Sequence, residues 1–185
     1  MLKFIDKYLL SVFFFLQVPV VSGLIFFYNL KHPVYLQILV LLVFMGIVSL
    51  VKYDFGIPTG FRRFFGVAGY FLIISILSNA SISGVSGLKG NYFHPLEFGA
   101  LGFLIIRSFF ISYQKWTVSI VFTVLSGVSL GILDEIHQYF VPGRTADSFD
   151  VFLDFTGITA GILVFLFWRF LLVSLNSVSD QNLSV

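Results

Sequence analysis

Long apolar runs, broken at intervals by short polar segments, dominate this chain. A helix needs about 20 mostly apolar residues to cross a hydrocarbon layer about 30 Å thick. Six segments read as spans: residues 8–30, 34–51, 61–77, 95–113, 116–136 and 150–172. The first contains Pro19, an expected kink. Its apolar run exceeds the roughly 7–15 residues of a signal peptide's apolar core and no small-x-small cleavage site follows, so it reads as a retained helix. The third opens on Arg62 and Arg63 and is the weakest. Residues 82–90, rich in Gly and Ser, read as an external loop, and the polar segment after Leu175 as a disordered tail. The expected fold is all-α, a polytopic helical membrane protein with two N-terminal helices over residues 1–60, a four-helix unit over 61–173 and a cytoplasmic tail over 174–185.

Composition supports that class. The chain is 58% hydrophobic and 11% charged, with 25 Phe among its 185 residues, whereas soluble domains carry about 25% charged residues. Too few polar side chains exist to cover a water-soluble globule, and disorder needs the opposite balance. Cysteine is absent, which excludes disulfides, thiolate metal sites and a cysteine nucleophile. A net charge of +2 with no basic run argues against nucleic acid as a partner. Membrane lipids are the expected surroundings, and the oligomeric state is left open.

Charge placement orients the spans. With the N-terminus inside, one face receives Lys3, Lys7, Lys52, Arg62, Arg63, Arg107, Lys115 and Arg169, and the other only Lys31, Lys89 and Arg144. The positive-inside rule then gives N-in and C-in. Trp116 and Trp168 fall at the cytoplasmic interface. Arg107, about 12 Å above Lys115 at 1.5 Å per residue, must snorkel or pair within the bundle.

The acids change the picture most. Of nine in the chain, Asp134, Glu135, Asp147, Asp150 and Asp154 fall within one short stretch, and Glu97 stands near a helix start. Ionisable groups in or beside spans are costly and face the bundle interior or a water-filled cavity. Counted at 1.5 Å per residue from Trp116, Asp134 lies about 27 Å up its helix; Asp154 lies about 21 Å from Trp168. Glu97, Asp134, Asp150 and Asp154 therefore approach the same outer interface. Gly127 and Gly131 form one GxxxG stripe continued by Glu135, and Gly157 and Gly161 form another continued by Asp150 and Asp154. Such stripes pack against protein rather than lipid, which aims the acids into a helix junction. Asp134 and Glu135 themselves, as neighbours, point about 100° apart on a helix.

Between these helices Pro142 and Gly143 signal a reversal that presents Arg144, a planar donor fork for carboxylate or phosphate. His94 precedes Pro95 at a helix start, where Glu97 suits the positive helix end. Two readings follow: an Arg–Asp cluster that pins the loop, or a polar pocket for an anionic or hydrogen-bonding substrate. Glu135 and Asp150 are the candidates for general acid–base work. Neither Ser148 nor Thr145 carries a GxSxG or SxxK pattern. His94 and His137 lack the HExxH spacing of a metal site, so neither metal nor cofactor is expected, and His32 reads as solvated.

The run Asp134-Glu135-Ile136-His137-Gln138-Tyr139-Phe140-Val141-Pro142-Gly143-Arg144, followed by Asp150 and Gly157, resembles the signature of the VanZ-like membrane-protein family. That signature is an Asp-Glu-x-x-Gln, a Pro-Gly-Arg turn, then an Asp and an Asn-x-x-Gly on the next helix; His94 is similar to an earlier histidine of the family. The resemblance covers about 61–168 and is most specific over 134–161. Asp154 stands where the family has Asn, and Lys89 is five residues before His94 rather than at the family's usual spacing.

The resemblance implies a bacterial cytoplasmic-membrane protein of the kind associated with low-level teicoplanin resistance. Such antibiotics act outside the membrane on lipid-linked cell-wall precursors, the face on which charge counting puts the acids. The expected function is an outward pocket of His94, Glu97, Asp134, Glu135, Gln138, Arg144, Asp150 and Asp154 that binds, and in one version modifies, a lipid-linked envelope precursor or lipid headgroup. The alternatives are a structural protein whose cluster locks the helices, and a proton-coupled transporter; against the latter, no acid lies near the midplane.

Overall fold

The structure, a computed structural model, describes residues 2–27, 33–50, 59–79, 94–142 and 146–182. Within them lie six α-helices and no strand: α1 (Leu2–Phe27), α2 (Pro33–Leu50), α3 (Thr59–Asn79), α4 (His94–Tyr113), α5 (Trp116–Tyr139) and α6 (Ser148–Asn182). Each expected apolar segment is helical, but the ends differ. Helix α1 begins at Leu2 and takes in Lys3 and Lys7, with Pro19 inside it. Helix α5 continues past Ile136 to Tyr139. The expected disordered tail is helical as far as Asn182. Nothing after Leu175 breaks a helix there, since no Gly or Pro occurs and adding a residue to an existing helix is cheap. The loop 82–90, along with Lys31, His32, Lys52, Lys89, Arg144 and Thr145, lies outside the described residues.

Three helical stretches are long and apolar enough to cross a membrane: His94–Tyr113, Trp116–Tyr139 and Ser148–Leu175. The apolar stretches described in α1, α2 and α3 are shorter, Ser11–Gly23, Leu36–Ile47 and Arg63–Ser78. Leu125, Leu163, Phe167 and Phe170 are more than half exposed, while Asp134, Asp150 and Asp154 are buried. This inverts the distribution of a water-soluble domain, in which charged groups almost never go inside unless paired, and suits a bundle whose outer surface meets hydrocarbon.

Helix α4 is the centre of the bundle, packing on α3, α5 and α6. Phe98, Leu101, Ile105 and Ile158 are fully buried between these helices. Helix α1 joins through Phe13, whose ring stacks on Phe103 of α4 at 6.1 Å and meets Tyr70 of α3 edge-on at 5.7 Å. The tightest approach is between α4 and α6. A Cβ on Gly157 would sit 2.5 Å from the Pro95 carbonyl oxygen, and one on Gly161 would strike the Gly99 carbonyl. One on Gly102 would sit 2.8 Å from the backbone of Ile158. Backbones can meet this closely only where both helices carry small residues.

The connections set the ends. Gln114 adopts a left-handed φ of 54°, and its N–H closes α4 on the Phe110 carbonyl at 2.9 Å, the geometry of a helix C-cap more often taken by glycine. Helix α5 then starts after the extended Lys115. This short reversal makes α4 and α5 antiparallel neighbours. The start of α4, the end of α5 and the start of α6 consequently share one end of the bundle.

Candidate functional site

That shared end carries the polar groups. Helix α4 contributes His94, α5 contributes Asp134, Glu135 and Gln138, and α6 contributes Asp150 and Asp154; all six are buried. The start of α6 is fixed by Asp147, whose carboxylate accepts from the Phe149 N–H at 2.9 Å, an N-cap. Asp147 is exposed and belongs to the helix start rather than to the buried cluster. Its backbone N–H nonetheless reaches back across the turn to Oε2 of Glu135 at 2.7 Å, tying the end of α5 to the start of α6.

The contacts divide the acids by role. Asp134 is fully buried and held on both oxygens: Ser78 of α3 donates to Oδ1 at 2.9 Å, and Gln138, one turn along α5, donates to Oδ2 at 2.7 Å. His94 Nδ1 and Asp154 Oδ1 are 2.8 Å apart, joining α4 to α6. The other oxygens of two of these acids are different. Among the described residues, Oε1 of Glu135 and Oδ2 of Asp154 are buried without a hydrogen-bond partner. Asp154 reaches this place because Gly131 faces it: a Cβ there would sit 3.0 Å from Oδ2. Asp150 is close enough to act electrostatically on His94, Glu135 and Asp154.

Of the residues singled out in sequence, His94, Asp134, Glu135, Gln138, Asp150 and Asp154 come together. Glu97 lies one turn from His94, half-buried, and acts electrostatically on His94 and on Tyr70 of α3. Arg144 lies outside the described residues. Ser78 was not foreseen. It stands just beyond the apolar run that ended at Leu77, and a lone serine there carries no pattern; only the packing of α3 against α5 gives it a partner.

Buried carboxylate oxygens without partners are costly. They suit a hydroxyl or ammonium donor, a proton or a cation. His94, Asp134 and Glu135 each offer a ligand atom, and these atoms lie within 4.8 Å of one another. No ligand spacing announced this trio, because its donors come from two helices rather than from one helical repeat.

No curated protein and no solved structure matches the chain. The resemblance carried by 134–161 reaches back to about residue 61, whereas the model of the VanZ/LLP1 family matches residues 7–169. The match therefore takes in α2 and most of α1 together with every described member of the buried cluster. By that match the chain belongs to the VanZ/LLP1 family.

Proposed function

We propose that this VanZ-type protein spans the bacterial cytoplasmic membrane six times, with both termini inside. Its buried polar cluster forms an outward-facing pocket for an amphiphilic envelope component, a lipid-linked glycan or a lipid headgroup. Binding there underlies a contribution to glycopeptide (teicoplanin) resistance. One observation carries this reading: two buried carboxylate oxygens, on Glu135 and Asp154, have no hydrogen-bond partner among the described residues, at the end of the bundle where three apolar helices converge. A cluster that only locked helices together would be expected to satisfy its own members. Here Asp134 is held on both oxygens, whereas Glu135 and Asp154 are each held on one.

The roles follow from chemistry. Asp134, held by Ser78 and Gln138, stiffens the junction. Glu135 and Asp154 accept hydrogen bonds from sugar or glycerol hydroxyls. Arg144, which follows α5 in the sequence, holds a phosphate. If a reaction follows binding, Glu135 and Asp150 are the groups to move a proton.

Complementation tests the reading. Glu135→Gln and Asp150→Asn keep shape and remove charge, so the protein should accumulate normally while resistance is lost. Loss of folded protein in both variants would instead make the cluster a lock.

A further inference from the structure

The two partnerless oxygens and the trio of ligand-type residues lie in one cluster, and His94 links them. Its Nδ1 faces Oδ1 of Asp154 at 2.8 Å. In the tautomer with the proton on Nδ1, His94 donates to Asp154 and keeps its Nε2 lone pair for something else. A carboxylate behind a histidine is how metal-binding imidazoles are commonly oriented and made more basic. Glu135, only 6% exposed, presents Oε1 without a hydrogen bond among the described residues. Asp134 is anchored by Ser78 and Gln138 as ligating carboxylates usually are, and each of its oxygens retains a second lone pair.

We propose that His94, Asp134 and Glu135 bind a divalent metal ion, with Asp154 as the hydrogen-bonded support of His94. Ligand atoms at about 2.0–2.2 Å from a tetrahedral ion stand about 3.4 Å apart, and the trio already offers one atom each within 4.8 Å of the others. One imidazole with two carboxylates favours Zn²⁺ or Mn²⁺ over Mg²⁺, which holds its water tightly and seldom takes nitrogen. The ion would sit among four buried carboxyl groups, those of Asp134, Glu135, Asp150 and Asp154. Three protein donors leave a position for water or for a phosphate oxygen of the envelope ligand; that last extension alone rests on the function proposed above.

The test uses the full chain in mild detergent with no lipid added, so that its outcome is independent of the lipid-binding reading. The protein is stripped with chelator, loaded with Zn²⁺ or Mn²⁺, desalted and assayed for metal by elemental mass spectrometry. The wild type should retain about one ion per chain. His94→Gln and Glu135→Gln should weaken binding at least about tenfold, and Asp154→Leu should do so through His94. His137→Gln, which alters a histidine outside the trio, should bind as the wild type does. A wild type that retains only traces of either ion overturns the proposal, as do His94→Gln and Glu135→Gln proteins that bind like the wild type. If those variants do not fold, the wild-type stoichiometry still decides.

Discussion

Nδ1 of His94, the first residue of α4, lies 2.8 Å from Oδ1 of Asp154, nearly two turns inside α6. This pair fastens the two helices whose backbones approach most closely, directly above Gly157. It also accounts for the carboxylate that stands where the resembling family carries Asn. An amide oxygen at the same place would still accept from Nδ1–H.

Asp154→Asn should accordingly leave protein abundance and resistance nearly unchanged, whereas Asp154→Leu leaves a buried ring N–H without an acceptor, a loss of about 1–3 kcal/mol. Thermal unfolding of the two variants in detergent, beside complementation, measures the difference. An Asp154→Asn protein as damaged as Asp154→Leu would show that the charge itself is required.

At its tightest point the α4–α6 contact should tolerate no added carbon. At Gly161 a Cβ meets backbone of Gly99 and Phe103, which cannot move aside as a side-chain tip can. Gly161→Ala should cost at least the about 1–3 kcal/mol typical of overpacking. Gly23→Ala, where nothing lies within 4 Å, should be neutral or slightly stabilising. Size-exclusion profiles after mild heating compare the two.

Asp134 reads as structural, so its donors should affect stability before they affect resistance. Gln138→Leu takes the donor from Oδ2 and Ser78→Ala the donor from Oδ1. Each should lower the unfolding temperature, Gln138→Leu the more, since it sets an apolar group against a buried carboxylate oxygen. An unfolding temperature unchanged in both would remove Asp134 from the framework of the site.

Much of this arrangement was legible in the sequence because length and spacing do not depend on tertiary contacts. The apolar runs located all six helices, and residue counts from Trp116 and Trp168 put the acids of α5 and α6 at a common level. What escaped depended on partners from elsewhere in the chain. Asp134 and Glu135 point about 100° apart on an ideal helix, yet both carry a ligand atom within 4.8 Å of the other and of His94, which the spacing of two neighbours on one helix does not reveal. Ser78 became meaningful only beside Asp134. Asp147 looked like one more acid of the cluster but serves as a cap, a role that depends on where α6 begins. The extension of α6 to Asn182 was missed because polar composition was read as disorder when no helix-breaking residue was present.

Orientation is the next prediction. Reporter fusions after Lys115 and after Leu175 should read cytoplasmic, and one after Lys89 external, if Lys and Arg set the topology. An external signal at Lys115 would put the cluster on the cytoplasmic face, away from the substrates of glycopeptide action.

The central claim is that the cluster takes a ligand rather than only locking helices, and native mass spectrometry of the full chain in mild detergent tests it most directly. Wild-type protein from bacterial membranes should retain a defined phosphate- or sugar-bearing lipid. Glu135→Gln and Arg144→Ala, each folded by size-exclusion chromatography, should lose it. Equal retention of the same species by all three proteins, or none by the wild type, would contradict the account.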